Sequence, residues 1–136
     1  GGGAGDSSDE EEEEHTITFD RYLRKDAEKC ERLGQPRILN LGLVGEHHSL
    51  WGHKLWNASL VVADMVDAGE IDVTGKSVLE LGSGAALPSC MAGICGSSCV
   101  VAADYAIDTD QHLVDNIRDN LERFQAEAGE QQDNAE

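Results

Sequence analysis

Val78-Leu79-Glu80-Leu81-Gly82-Ser83-Gly84-Ala85-Ala86-Leu87-Pro88, followed by Asp104 at the end of a second apolar run, decides how the rest of this 136-residue chain is read. An apolar stretch that breaks on Gly82 and Gly84 and then meets Pro88 predicts a strand turning sharply into a helix. Glycine takes the backbone angles of such a turn and admits a ligand where a Cβ would otherwise stand. On either side of the turn, Lys76 to Leu81 (KSVLEL) reads as the strand and Pro88 to Cys95 as the helix. Cys99 to Asp104 (CVVAAD) is a second buried strand ending on an acid, and His112 to Phe124 places Leu113, Ile117, Leu121 and Phe124 on one face of an amphipathic helix. The order is a βαβα unit, which requires parallel strands and a right-handed crossover.

Further towards the N-terminus, Leu55 to Ala68 carries Ala58, Val61, Val62, Met65 and Val66 at helical spacing and closes at Gly69. Thr16 to Arg24 (TITFDRYLR) and Arg37 to Val44 (RILNLGLV) alternate as the strands of a small antiparallel hairpin. Lys25 to Pro36 between them is charged, with room for a helical turn. The fold class is α/β: a parallel βαβα unit preceded by a hairpin and a helix.

Composition bounds what this unit does. Acids outnumber bases 27 to 10, but seven lie between Asp6 and Glu14 and four more in the last ten residues. Residues 1–14 are expected to be a disordered acidic tail, 15–124 the folded part and 125–136 a second acidic tail. Between the tails the charge is mild and no basic stripe appears, so no nucleic-acid partner is expected. Leu81 to Ala103 carries no charge, but its four Gly, four Ser and Pro88 do not make a membrane span. No secretory signal is visible, and Cys30, Cys90, Cys95 and Cys99 form no C-x-x-C pair, which predicts reduced thiols and a cytoplasmic location. No feature assigns an oligomeric state.

The glycine turn and the distant acid together point to a nucleoside-containing cofactor at the carboxyl edge of the sheet, with Asp104 accepting hydrogen bonds from ribose hydroxyls. A dinucleotide fingerprint needs a third glycine where this chain has Leu87, and a phosphate loop needs a lysine where none follows Lys76. An acid two residues before the first glycine, small residues at Gly82, Gly84 and Ala86, and the second acid suit S-adenosylmethionine, which carries an amino-acid tail and a ribose but no phosphate. Glu80 then sits near the cationic amino end. The plain alternative is a tight turn that binds nothing.

Leu50-Trp51-Gly52-His53-Lys54-Leu55-Trp56-Asn57-Ala58, the block Leu79 to Ser89, Ala103-Asp104-Tyr105 and the D-N-I-R-D-N run from Asp115 to Asn120 add a resemblance. Over roughly Thr16 to Arg123 the chain resembles the seven-strand methyltransferases of family 16. Its blocks look most like the branch that methylates the N-terminus and a lysine of elongation factor 1-alpha, members of which are also labelled nicotinamide N-methyltransferase-like. The resemblance implies the N-terminal portion of a Rossmann-like methyltransferase fold, S-adenosylmethionine as cofactor, and Trp56, Gly82, Ser83, Gly84 and Asp104 as its contacts. Where the family has a Pro-Asp pair after A-D-Y, this chain has Ala106 to Asp110, so that loop is expected to differ. The family fold also continues for about as many residues again, so the chain is expected to be a fragment or a shortened gene model, weakly stable by itself. Catalytic groups are expected in that further part, and none is named here.

His47, His48 and His53 lack the helical i, i+4 pairing of a zinc site, so no metal is expected. Cys90, Cys95 and Cys99 are expected to fill small buried volumes. Three functions follow: a protein N-methyltransferase acting on elongation factor 1-alpha, a small-molecule N-methyltransferase of nicotinamide type, and a non-catalytic remnant that binds a protein partner. The cofactor reading predicts that Asp104→Ala weakens binding with little effect on folding, and that Gly82 and Gly84 do not tolerate Val.

Overall fold

The computed structural model of the chain describes residues 17–44, 55–104 and 114–124. The alternation at the N-terminal end gives β1 (Ile17–Leu23) and β2 (Ile38–Val44), paired antiparallel from Ile17↔Val44 to Leu23↔Ile38. Between them the charged connection forms a whole helix, α1 (Ala27–Leu33). The side chain of Asp26 accepts from Lys29 N at its start, and Gly34 caps its end. One hairpin face supplies Tyr22, Leu39 and Leu41 to the core. The other leaves Phe19, Leu23 and Ile38 exposed.

α2 (Asn57–Asp67), β3 (Ser77–Leu81), α3 (Leu87–Ile94) and β4 (Cys99–Ala103) follow, and residues 114–124 form a further helix, α4. β3 and β4 run parallel from Ser77↔Cys99 to Leu81↔Ala103, with α3 as their crossover. This is the βαβ unit expected from the glycine turn, and the molecule is a mixed α/β structure. Tyr22, Leu39, Leu41, Val66, Leu87, Met91 and Phe124 share one core, so the hairpin, α2, α3 and α4 close over the same apolar volume. Burial of a side chain the size of Leu41 or Met91 contributes about 1.5–3 kcal/mol.

Two expectations are corrected. On α2 the buried residues are Ala63, Val66 and Asp67, whereas Val61 and Val62 of the apolar stripe are exposed. The reason lies on the hairpin: Arg24 at the end of β1 is fully buried and draws Asp67 inward through a 2.8 Å ion pair, which turns that side of α2 to the core. Cys99 is exposed, whereas Cys30 and Cys90 are buried. Side chains alternate along β4, so with Val100 packed on the core beside Val78, Cys99 falls on the opposite face with Val101.

The parallel pair is covered on that side. On the opposite face Leu79, Leu81 and Val101 are 63%, 75% and 51% exposed. No described helix is long and apolar enough to cross a membrane. The tails expected at 1–14 and 125–136, the loop Ala106 to Asp110, Leu113 and the three histidines His47, His48 and His53 lie outside the described residues.

Candidate functional site

At the end of β3 the backbone enters the left-handed region three times in five residues, at Gly82 (φ 65°), Gly84 (φ 53°) and Ala86 (φ 63°). The two glycines were legible as the turn. Ala86 was not, because an alanine there carries strain of order 1 kcal/mol that only its surroundings reveal. Three bonds fasten the loop to itself and to the end of β4. Ser83 N donates to Ala103 O at 3.0 Å, Ala86 N to Ser83 O at 2.7 Å, and Gly84 N to the Asp104 carboxylate at 2.6 Å. Asp104 thus stands at the strand tip beside the loop, and it also anchors the loop. A variant lacking its carboxylate is therefore expected to loosen the turn as well.

Gly82 is exposed, and a Cβ built on it would meet no described atom within 4 Å. Among the described residues that space is open to a Cβ, so strain at φ 65° is what opposes a side chain there. Ser83, next to it, is 3% exposed, and its hydroxyl is buried with no hydrogen-bond partner among the described residues. Leaving such a group unsatisfied costs about 1–3 kcal/mol, which a polar ligand at this loop would recover.

Glu80 points from β3 towards the start of α3. Its Oε2 accepts from Ser89 N at 3.0 Å and from Ser89 Oγ at 3.2 Å. α3 starts on Ala86, which has no side chain to cap the helix, so Glu80 supplies the missing acceptor at the positive end of the helix dipole. Burial pushes its carboxyl up to about 7 against the pull of the two Ser89 bonds, and the neighbouring Asp104 charge adds to the rise. A carboxylate already at the helix N-terminus leaves the place where a cofactor phosphate is usually held with the wrong sign of charge.

A carboxyl raised from 4.5 to about 7 binds its proton more readily in the folded chain than in the unfolded one, so this group erodes stability as the pH climbs through that window. Glu80→Gln keeps an acceptor for Ser89 and removes the titration. We expect the gap in unfolding free energy between pH 5 and pH 8 to narrow in the variant by on the order of 2 kcal/mol, the full linkage being discounted for partial solvent contact. Denaturant melts of both proteins at the two pH values check it; an unchanged gap means that Glu80 does not titrate in this window.

Sequence reasoning missed the other side of the loop. Asn120 on α4 is fully buried. Its Nδ2 donates to Ala85 O at 3.0 Å and Gly42 O at 3.1 Å, while its Oδ1 accepts from Gly42 N at 2.9 Å. Asn116, one turn earlier, donates to Gly42 O at 2.8 Å. Both lie in the D-N-I-R-D-N run that carries part of the resemblance, but at i, i+4 spacing on a helix an exposed polar face would be the ordinary assignment. Trp56 stands elsewhere, at the N-cap of α2, half-buried, with its carbonyl accepting from Leu60 N. Glu80, Gly82, Ser83, Gly84 and Asp104 are the candidate residues that the strand ends bring together.

No protein-family model matches the chain. Curated relatives do. The protein N-terminal and lysine N-methyltransferase EFM7 of Debaryomyces hansenii is 45% identical over 109 residues, covering 79% of this chain and 39% of that protein. Its counterpart in Schizosaccharomyces pombe is 42% identical over 89 residues, 65% of this chain and 33% of the relative. In Kluyveromyces lactis the figures are 39% identity over 104 residues, 76% and 37%. The chain spans less than half the length of these relatives.

Proposed function

We propose that this chain, similar over the part it spans to protein N-terminal and lysine N-methyltransferases, is the S-adenosylmethionine-binding portion of such an enzyme, on a Rossmann-like seven-strand fold. The observation that carries the cofactor assignment is the Ser83 hydroxyl, buried and unsatisfied between two left-handed glycines and beside Asp104. Such a loop suits a polar, phosphate-free ligand. When bound, the cofactor supplies a methyl group already activated on a sulfonium.

The residues present have distinct tasks in this reading. Asp104 holds Gly84 N and, since a carboxylate has acceptor sites for more than one bond, takes the ribose hydroxyls as well. Glu80 favours the cationic amino end and gains from it, because a nearby cation stabilises a carboxylate that burial would otherwise protonate. Gly82 lets the ligand approach the backbone and Ser83 bonds it; Trp56, apart from them at the start of α2, is a contact by the family resemblance alone. Alignment is most of what methyl transfer asks of a protein, so no catalytic acid or base is assigned to this stretch.

The acceptor in this reading is a lysine or the N-terminus of elongation factor 1-alpha, supported by the family blocks quoted above and by the printed names of the relatives, which specify protein N-termini and lysines. Those names also favour a protein over nicotinamide. A translation-factor substrate puts the enzyme in the cytoplasm, in keeping with four unpaired cysteines. The polypeptide at the length of its relatives, incubated with methyl-labelled cofactor, elongation factor 1-alpha and nicotinamide, is expected to label the translation factor. Label in nicotinamide would establish the small-molecule reading, and failure to bind S-adenosylhomocysteine would leave a protein-binding remnant.

A further inference from the structure

The Asn120 carboxamide makes three bonds to two main-chain segments that are far apart in sequence. Towards β2 it takes both the N–H and the C=O of Gly42, as a neighbouring strand would. Towards the glycine loop it takes the carbonyl of Ala85, which lies between two residues in the left-handed region and is itself 5% exposed. The strained loop is fixed on its β4 side by Asp104 and Ala103. On the other side Asn120 fixes it to the hairpin. A carboxamide is planar and short, so satisfying Gly42 at both ends leaves it little freedom in where it holds Ala85.

We propose that Asn120 is a positioning residue for the glycine loop, holding it in the ligand-accepting conformation by referring it to β2 of the hairpin; the proposal rests on the cofactor reading above. It acts without touching the cofactor. Removing it leaves the buried Ala85 carbonyl unpaired, and the left-handed run relaxes towards other conformations.

Asn116 provides the comparison, since Asn116→Ala removes a bond to the same Gly42 carbonyl and leaves the Ala85 bond in place. Both variants of the full chain are taken to a temperature at which circular dichroism shows them folded. We expect Asn120→Ala to weaken S-adenosylhomocysteine binding by calorimetry about tenfold or more, and to speed hydrogen exchange at Ser83, Gly84 and Ala86 by a similar factor. Asn116→Ala is expected to change neither, although both variants melt earlier. If Asn120→Ala retains wild-type affinity and loop exchange, or if Asn116→Ala matches it in both, Asn120 only holds the fold together and the proposal is wrong. If the unaltered chain does not bind S-adenosylhomocysteine, the cofactor reading fails, and loop exchange alone then decides whether Asn120 positions the loop. Should Asn120→Ala fold poorly, Asn120→Ser carries the same comparison.

Discussion

Replacing Arg24 with Met lowers the unfolding free energy by about 3 kcal/mol, because it leaves a buried carboxylate with only the longer, 3.5 Å contact to Lys29 as counter-charge. The guanidinium meets Asp67 through Nη2 at 2.8 Å and through Nε at 3.2 Å to each oxygen. Its remaining donors go to Pro36 O at 3.0 Å and Gln35 Oε1 at 2.9 Å. Gln35 in turn donates to Ile94 O at 3.2 Å, so one side chain ties the end of β1 to α2 directly and to α3 through Gln35. Lys29 adds a further bond to Asp67. Burial alone would raise the Asp67 carboxyl, but Arg24 and Lys29 outweigh it and hold the group below its ordinary 3.8. The stability it contributes is therefore present above about pH 4 and lost as acid titrates the folded group. Urea titrations read the loss at pH 7. The double variant Arg24→Met, Asp67→Leu is expected to recover most of it and to abolish that acid-dependent part, since neither charge is then left buried alone. A single variant as stable as the parent would show that the pair contributes nothing.

Asp104→Ala is expected to weaken S-adenosylhomocysteine binding by about 1.5–3 kcal/mol, roughly 10- to 150-fold, the loss of charge-assisted hydrogen bonds. Because Asp104 also holds Gly84 N, the melting temperature should fall too. Asp104→Asn separates the two effects. It keeps an acceptor for the backbone and discards the charge, so it should restore the melting temperature more completely than the affinity. Calorimetry and thermal melts on the three proteins decide; equal affinity in all of them would remove Asp104 from the ligand site.

Where the alternation of apolar residues reports contacts within one element, the sequence was legible. The hairpin strands, the βαβ unit and the glycine turn all fall within a residue or two of their expected places. α1 was underread as a single turn, although its signals were present: Asp26 before it, Glu28 in the first turn, Arg32 in the last and Gly34 after it. The rest depends on neighbours distant in the chain. Nothing near Asp67 announces that Arg24, 43 residues away, makes a charged residue belong inside. Likewise Asn116 and Asn120 read as surface residues until Gly42 and Ala85 are seen to face them. In the candidate site, the residues chosen for chemical type were found beside the loop, whereas the strain at Ala86 and the capping by Glu80 follow from where α3 begins.

The bond between Gly42 and Asn120 spans 78 residues, which gives it a meaning during synthesis. The hairpin leaves the ribosome first, and both polar groups of Gly42 must be served by water until α4 emerges. At about 5–20 residues per second that interval is roughly 4–16 s, far longer than the microseconds in which a hairpin forms. For that time the nascent chain holds a strand paired with β1 on one side and open at Gly42 on the other, the kind of edge on which other chains pair. A ribosome stalled before residue 116 would therefore display an adhesive intermediate, and one stalled after α4 has cleared the exit tunnel would not.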